Sequence, residues 1–192
     1  RRELRILRAE KNGANRERNR LSSLVAKSLN ESNYIMYSLY KDSYRYYTSR
    51  YYDLIDQINI KEQEYKEFND LQKKIDKKQY DKINQHNYTH IPILDGTVSE
   101  RGCGYIATII AESSLGKKVD VHDAYLYLNQ PKNNFKGGIN GIAVNGYMQK
   151  EGFSPMAATY DLLPNSTYIT WYAIYVEEEK DYYWHYVAFT TD

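Results

Sequence analysis

The sequence has a single cysteine, Cys103, among its 192 residues. That excludes an internal disulfide framework and any multi-cysteine zinc site. No run approaches the roughly 18 apolar residues of a membrane-spanning helix, and no apolar signal core stands near the start. The chain begins with Arg1 rather than Met, as expected of an excised domain or a processed product. Neither a phosphate-binding Gly-x-x-x-x-Gly-Lys loop nor a dinucleotide Gly-x-Gly-x-x-Gly fingerprint is present, and no metal or organic cofactor is expected. Glycine and proline are missing altogether between Gly13 and Pro92. Both residues punctuate turns, so that stretch is free to form long helices. Tyrosine, in contrast, is abundant, at 22 of 192 residues. Apolar residues at 42% and charged residues at 27% are ordinary for a globular protein and exclude a low-complexity or mainly disordered chain.

The near-neutral net charge of +1 hides a split. Residues 1–90 carry 19 Lys+Arg against 13 Asp+Glu, and residues 91–192 carry 7 against 12. The first half reads as helix. Tyr44, Tyr47, Tyr51, Leu54, Ile58, Tyr65, Phe68 and Ile75 follow alternating steps of three and four, with Lys61 and Gln72 as polar interruptions. This is a heptad seam. Leu21, Val25, Leu29, Met36 and Leu39 form a looser stripe upstream, broken at Asn30-Glu31-Ser32-Asn33, where Ser32 is a candidate cap for a second helix. The pattern predicts a helical hairpin or coiled coil over residues 1–87, with the option of self-association or a protein partner. Residues 1–20 hold eight Lys+Arg against three acids and no aromatic residue. Base stacking needs aromatics exposed beside the cations, so this arm reads as a solvated helix end rather than a nucleic-acid-binding element.

The second half turns often. Ile91 to Leu94 precedes the turn signal Asp95-Gly96. Gly104 to Leu115 and Val119 to Leu128 have helical apolar spacing, and a third helix is expected from about Ile142 to Lys150. Tyr168 to Val176 and Tyr182 to Thr190 are rich in aromatic and β-branched residues around a charged turn, which predicts an antiparallel hairpin. Helices first and strands last indicate an α+β domain over residues 88–192.

Cys103 stands between Gly102 and Gly104, directly before an apolar helix pattern. The positive end of a helix favours thiolate over thiol, and flanking glycines let a substrate carbonyl approach closely. His185 lies within the last strand, in Tyr183-Trp184-His185-Tyr186-Val187. A cysteine at a helix start paired with a histidine on a later strand is suited to nucleophilic catalysis, with the imidazole taking the thiol proton and returning it to the leaving amine. His86 and His90 fall in a polar linker and His122 at a helix start, where solvent-exposed or helix-end roles are expected.

The ordered set of short strand, Gly102-Cys103-Gly104 helix, Leu115-Gly116 break and His185-Tyr186-Val187 strand resembles papain-like bacterial cysteine peptidases. It is similar to the bacteriocin-leader (double-glycine) peptidase family and its stand-alone relatives. The resemblance covers residues 88–192. It implies a papain-like fold, a peptide or protein substrate, Cys103 as nucleophile and His185 as base and acid. Three departures stand out. Tyr105 occupies the usual proline position. Residues 91–102 contain no oxyanion-hole glutamine, leaving Thr97 or Ser99, or backbone N–H groups, as donors. The sequence also stops seven residues after His185, at Asp192. Seven strand residues span about 23 Å, so Asp192 serves as the third member only if the chain turns after Phe189. Asp161 and Asn165 are the other candidates, and a Cys-His dyad is the remaining form. Tyr105 and Tyr183 are candidate cleft residues. The expected activity is thiol-dependent cleavage of a peptide or amide bond in a secreted bacterial peptidase or effector. A deamidase or transglutaminase on the same dyad, and a catalytically silent helical scaffold, are the alternatives.

Overall fold

The computed structural model of the chain describes residues 1–135, 138–156, 162–177 and 180–191, with the side chains of 171–176 and 181–184 outside the description. The chain forms two compact units, Arg1–Glu64 and Tyr65–Asp192. The boundary expected after residue 87 lies inside the second unit, because the last turns of a long helix supply Phe68, Leu71 and Ile75 to the second core.

The first unit is the expected helical hairpin. Helix α1 spans Arg2–Asn30 and α2 spans Tyr34–Asp76. Residues 1–20 form the front of α1, the helix end expected of them, with Ala14 and Leu21 buried at heptad spacing and Ser28 following. Charged contacts link the helices: Glu3 to Lys61, Arg8 to Glu62 and Arg50 to Glu10. The Arg18 guanidinium lies 4.4 Å from the centre of the Tyr51 ring, a cation–π contact. Two details of the sequence reading are corrected. Leu29 is exposed, since Ser28 takes the inward position one residue earlier, and Leu39 is exposed too. Asn33, not Ser32, caps α2: its Oδ1 accepts the Met36 N–H at 3.1 Å, while Ser32 turns the chain with φ of 54°.

The second unit is α+β. Strands β1 (Pro92–Ile93) and β2 (Gly96–Thr97) form a two-residue hairpin. A four-residue helix α3 (Val98–Arg101), missed in the sequence reading, leads into α4 (Cys103–Ser114). Helix α5 (Val121–Leu128), the small pair β3 (Asn134–Phe135) and β4 (Gly138–Ile139), and α6 (Gly141–Lys150) follow. The last element is the predicted hairpin, β5 (Thr167–Val176) against β6 (Asp181–Thr190), antiparallel with Tyr172 opposite His185. Caps fix the helix starts. Asp120 accepts from the His122 and Asp123 N–H groups, and Asn140 accepts from Ala143 N–H at 2.7 Å. The Gln72 side chain, a polar break in the seam, accepts the Val121 N–H and donates to the Val119 carbonyl, so it holds the start of α5.

Helix α4 runs through the core with nearly every side chain covered. Its one buried carboxyl, Glu112, accepts from the Tyr147 hydroxyl at 2.9 Å, and burial pushes its pKa above the usual carboxylate value. No helix among the described residues is long and apolar enough to cross a membrane.

Candidate active site

The site is built around the junction of α3 and α4. Gly102 ends α3, its N–H bonded to the Val98 carbonyl, and Cys103 is the first residue of α4. A Cβ on Gly102 would lie 2.6 Å from both the Val98 carbonyl oxygen and Cγ1. Only glycine lets the two helices join so tightly. Cys103 is 9% exposed, at the end of α4 where backbone N–H groups lack partners within the helix.

Gly104 serves a different contact. A Cβ there would lie 3.2 Å from the Ile139 Cβ and 3.4 Å from the Tyr186 ring. The absent side chain therefore lets β6 close onto the first turn of α4. The Tyr186 hydroxyl reaches to 3.6 Å from the corresponding point on Gly141, at the start of α6. Burial raises the Tyr186 pKa, and the neighbouring Cys103 raises it further. Tyr186 was not singled out from the sequence, although it lies beside His185 and is the side chain that registers β6 on the cysteine helix.

His185 precedes Tyr186 and is half-buried. Burial pushes its imidazole below the ordinary value, and the charge of His86 pushes the same way. His86 stands 99 residues earlier in the sequence. It belongs to a 3-10 turn, Gln85–Asn87, hydrogen-bonded to α3 from both sides: Gln85 Nε2 donates to the Ser99 carbonyl, and the Ser99 N–H donates to the Tyr88 carbonyl, both at 3.0 Å. The His86 side chain is exposed, as expected of a residue in a polar linker. His90 bonds to Glu67 at 2.7 Å, and His122 packs against Phe68 and Tyr125. Both have the ordinary roles expected.

Tyr105 is not a cleft residue: it is fully buried, and its hydroxyl donates to the Val121 carbonyl at 2.8 Å. Its position in α4 points it into the core. The Thr97 hydroxyl is engaged with Glu100 Oε2 at 3.1 Å, an acceptor it shares with its own N–H, so it is not free to donate elsewhere. Ser99 holds the 85–88 segment through its backbone. Ser166 and Thr191 exchange hydrogen bonds six residues beyond His185, about 20 Å along a strand. Asn165, next to Ser166, is therefore not brought to His185. Asp192 and Asp161 lie outside the described residues, as does the Tyr183 side chain. Strand β6 runs on through Phe189 to Thr190, paired with Thr167, without the turn that an Asp192 contact requires.

A cavity of about 330 Å³ lies away from this junction, lined by Lys78, Tyr80, Ile110, Ser114 and Thr167 together with the end of β6. Among the described residues, no group of three or more His, Cys, Asp or Glu is arranged to hold a metal ion. No family model matches the chain, and no curated protein and no solved structure is significantly similar to it.

Proposed function

We propose that the second unit is a papain-like thiol hydrolase that cleaves a peptide or amide bond, with Cys103 as nucleophile and His185 as general base and acid. The observation that supports the reading is that the Tyr186 ring packs on Gly104, which brings β6, the strand of His185, to the first turn of the helix that begins with Cys103; the approach of the His185 ring to the sulfur is itself part of the proposal. His185 takes the Cys103 proton as sulfur attacks the carbonyl carbon. The tetrahedral oxyanion collapses, the C–N bond breaks, and His185 protonates the leaving amine. Water then cleaves the thioester with His185 as base, releasing the acid and restoring the thiol. The lowered pKa leaves the His185 imidazole neutral to a lower pH than usual and makes it a weaker base and a stronger acid, which favours protonation of the leaving amine over the first proton transfer.

The test is the pH dependence of Cys103 alkylation by iodoacetamide. The wild type is expected to react rapidly at about pH 6, below the ~8.5 of an ordinary thiol, and His185→Ala is expected to lose that reactivity. Slow reaction with a midpoint near ~8.5 in both proteins overturns the dyad. Mass spectrometry of candidate peptides then distinguishes chain scission from conversion of a side-chain amide to an acid.

A further inference from the structure

The cavity of about 330 Å³ lies between the turn after α2, the last turns of α4 and the ends of β5 and β6. Small-molecule sites begin at about 300 Å³. Ile110 from α4 and Ala188 from β6 give it an apolar wall, beside Tyr80, whose hydroxyl is tied to Ser113 Oγ at 2.8 Å. Two lining hydroxyls, of Ser114 and Thr167, stand 3.1 Å apart. A hydroxyl has one proton to donate and two lone pairs. Ser114 Oγ spends its proton on the Ala111 carbonyl at 2.8 Å, so the Thr167 hydroxyl donates to Ser114. Both protons are used, and the Thr167 oxygen is left as an acceptor. Lys78 brings the charge. No carboxylate stands among the lining residues, and among the described residues the Lys78 ammonium has no ion-pair or hydrogen-bond partner. The Gln79 N–H bonds to the Lys74 carbonyl at 2.9 Å and the Lys78 N–H to the Ile75 carbonyl at 3.0 Å, which closes α2 with Lys78 at a φ of 52°. Glycine ordinarily holds that left-handed position at a helix end. Here an exposed cation holds it, at the edge of the cavity.

We propose that this cavity binds an organic acid that carries an N–H donor beside its carboxylate and an apolar side chain. The carboxylate meets Lys78, the N–H donates to Thr167 Oγ1, and the side chain packs on Ile110 and Ala188. An N-acylated apolar amino acid has this chemistry, and so has the C-terminal residue of a peptide. The site is separate from the candidate active site. Ser114 stands at the opposite end of α4 from Cys103, about 17 Å along the helix. Binding there makes and breaks no covalent bond and is independent of the thiol-hydrolase reading.

Isothermal titration calorimetry of the whole chain with N-acetyl-leucine tests the site, and saturable one-to-one binding is expected. N-acetyl-leucinamide lacks the carboxylate and is expected to bind about fivefold more weakly, as for one exposed ion pair. 4-Methylpentanoate keeps the carboxylate and the apolar chain without the N–H, and is also expected to bind more weakly. Lys78→Gly removes the cation where glycine is relaxed, so the fold is kept. It is expected to weaken the acid about fivefold and to leave the amide unchanged. Ala188→Leu, which fills the cavity, is expected to abolish binding. Prior alkylation of Cys103 by iodoacetamide is expected to leave the affinity unchanged. A pentapeptide ending in leucine that binds at least as tightly as N-acetyl-leucine identifies a peptide C-terminus as the source, and weaker binding identifies a free acid. Absence of saturable binding, equal affinity for N-acetyl-leucine and either analogue, or an affinity insensitive to Lys78→Gly overturns the site, whatever the fate of the hydrolase reading. Binding that disappears on alkylation of Cys103 overturns it too, because the ligand then lies at the α3–α4 junction.

Discussion

In the helical hairpin the inward positions recur every three or four residues along two helices, and Ala14, Leu21, Leu54 and Ile58 are its buried apolar side chains. In the second unit the buried residues come from many short segments, and Tyr88, Ile93, Tyr105, Ile109, Leu128 and Tyr147 are almost completely covered. The hairpin is held along a narrow seam with charged contacts beside it, whereas the second unit is held by a core around one enclosed helix. A seam tolerates local change, because each position meets few neighbours. A helix enclosed on all sides transmits any change in volume to its neighbours.

The same substitution in each unit tests that contrast most strongly. Ile109 in α4 is fully buried, and Ile35 near the start of α2 is 77% exposed. Ile109→Ala is expected to cost about 2–5 kcal/mol, the range for a large-to-small change in a packed core. Ile35→Ala is expected to stay within about 0.5 kcal/mol, as surface substitutions do. Urea denaturation of the whole chain measures both, followed by far-ultraviolet dichroism for the helices and by tyrosine and tryptophan fluorescence. Comparable losses for the two variants would mean that the hairpin surface at Ile35 is covered, and the contrast would fail.

Periodicity made the hairpin legible, because the 3.6-residue repeat is written directly into the spacing of Tyr44, Tyr47, Tyr51, Leu54 and Ile58. The Gly-Cys-Gly string, the α4 pattern and the paired strands were equally readable, since each has a local signature. What escaped was set by three-dimensional approach. Apolar character alone did not show whether Tyr105 lines a cleft or fills the core; its packing and its bond to Val121 decide that. Helix α3 is too short to show a period, and Thr97 joins Glu100 in its first turn instead of remaining a free donor.

Glycine sharpens the comparison at an intermediate scale, because one substitution is expected to act with opposite sign in the two units. Gly104 lies under Ile139 and Tyr186, with 3.2 Å and 3.4 Å between an added Cβ and its nearest neighbours. Gly104→Ala is expected to destabilise by about 1–3 kcal/mol through overpacking. It should also displace Tyr186 and slow Cys103 alkylation. Gly13 lies within α1, and an added Cβ there meets nothing within 4 Å. Gly13→Ala is expected to stabilise by about 0.5–1 kcal/mol, because the methyl group restricts the unfolded backbone and adds helix propensity. Thermal melts of the two variants beside the wild type decide the signs. A stabilising Gly104→Ala would mean that β6 does not close onto α4 as described.

The smallest effect is expected from the hairpin's ion pairs. Arg8 and Glu62 meet at 2.6 Å, but their side chains remain 56% and 45% exposed. Water screens such a pair and fixing two long side chains costs entropy, so a double-mutant cycle with Arg8→Ala and Glu62→Ala is expected to give a coupling of about 0–1 kcal/mol. At 1 M salt, where the screening length falls to about 3 Å, most of that coupling should vanish. The Tyr147–Glu112 hydrogen bond in the second unit is the contrasting case, since both side chains are buried. Its Tyr147→Phe variant is expected to lose about 1–3 kcal/mol by leaving a buried carboxyl without its donor, with little response to salt. A large, salt-resistant coupling between Arg8 and Glu62 would show that the seam is drier than its exposure indicates, and that charge contributes to the hairpin in the way enclosed packing contributes to the second unit.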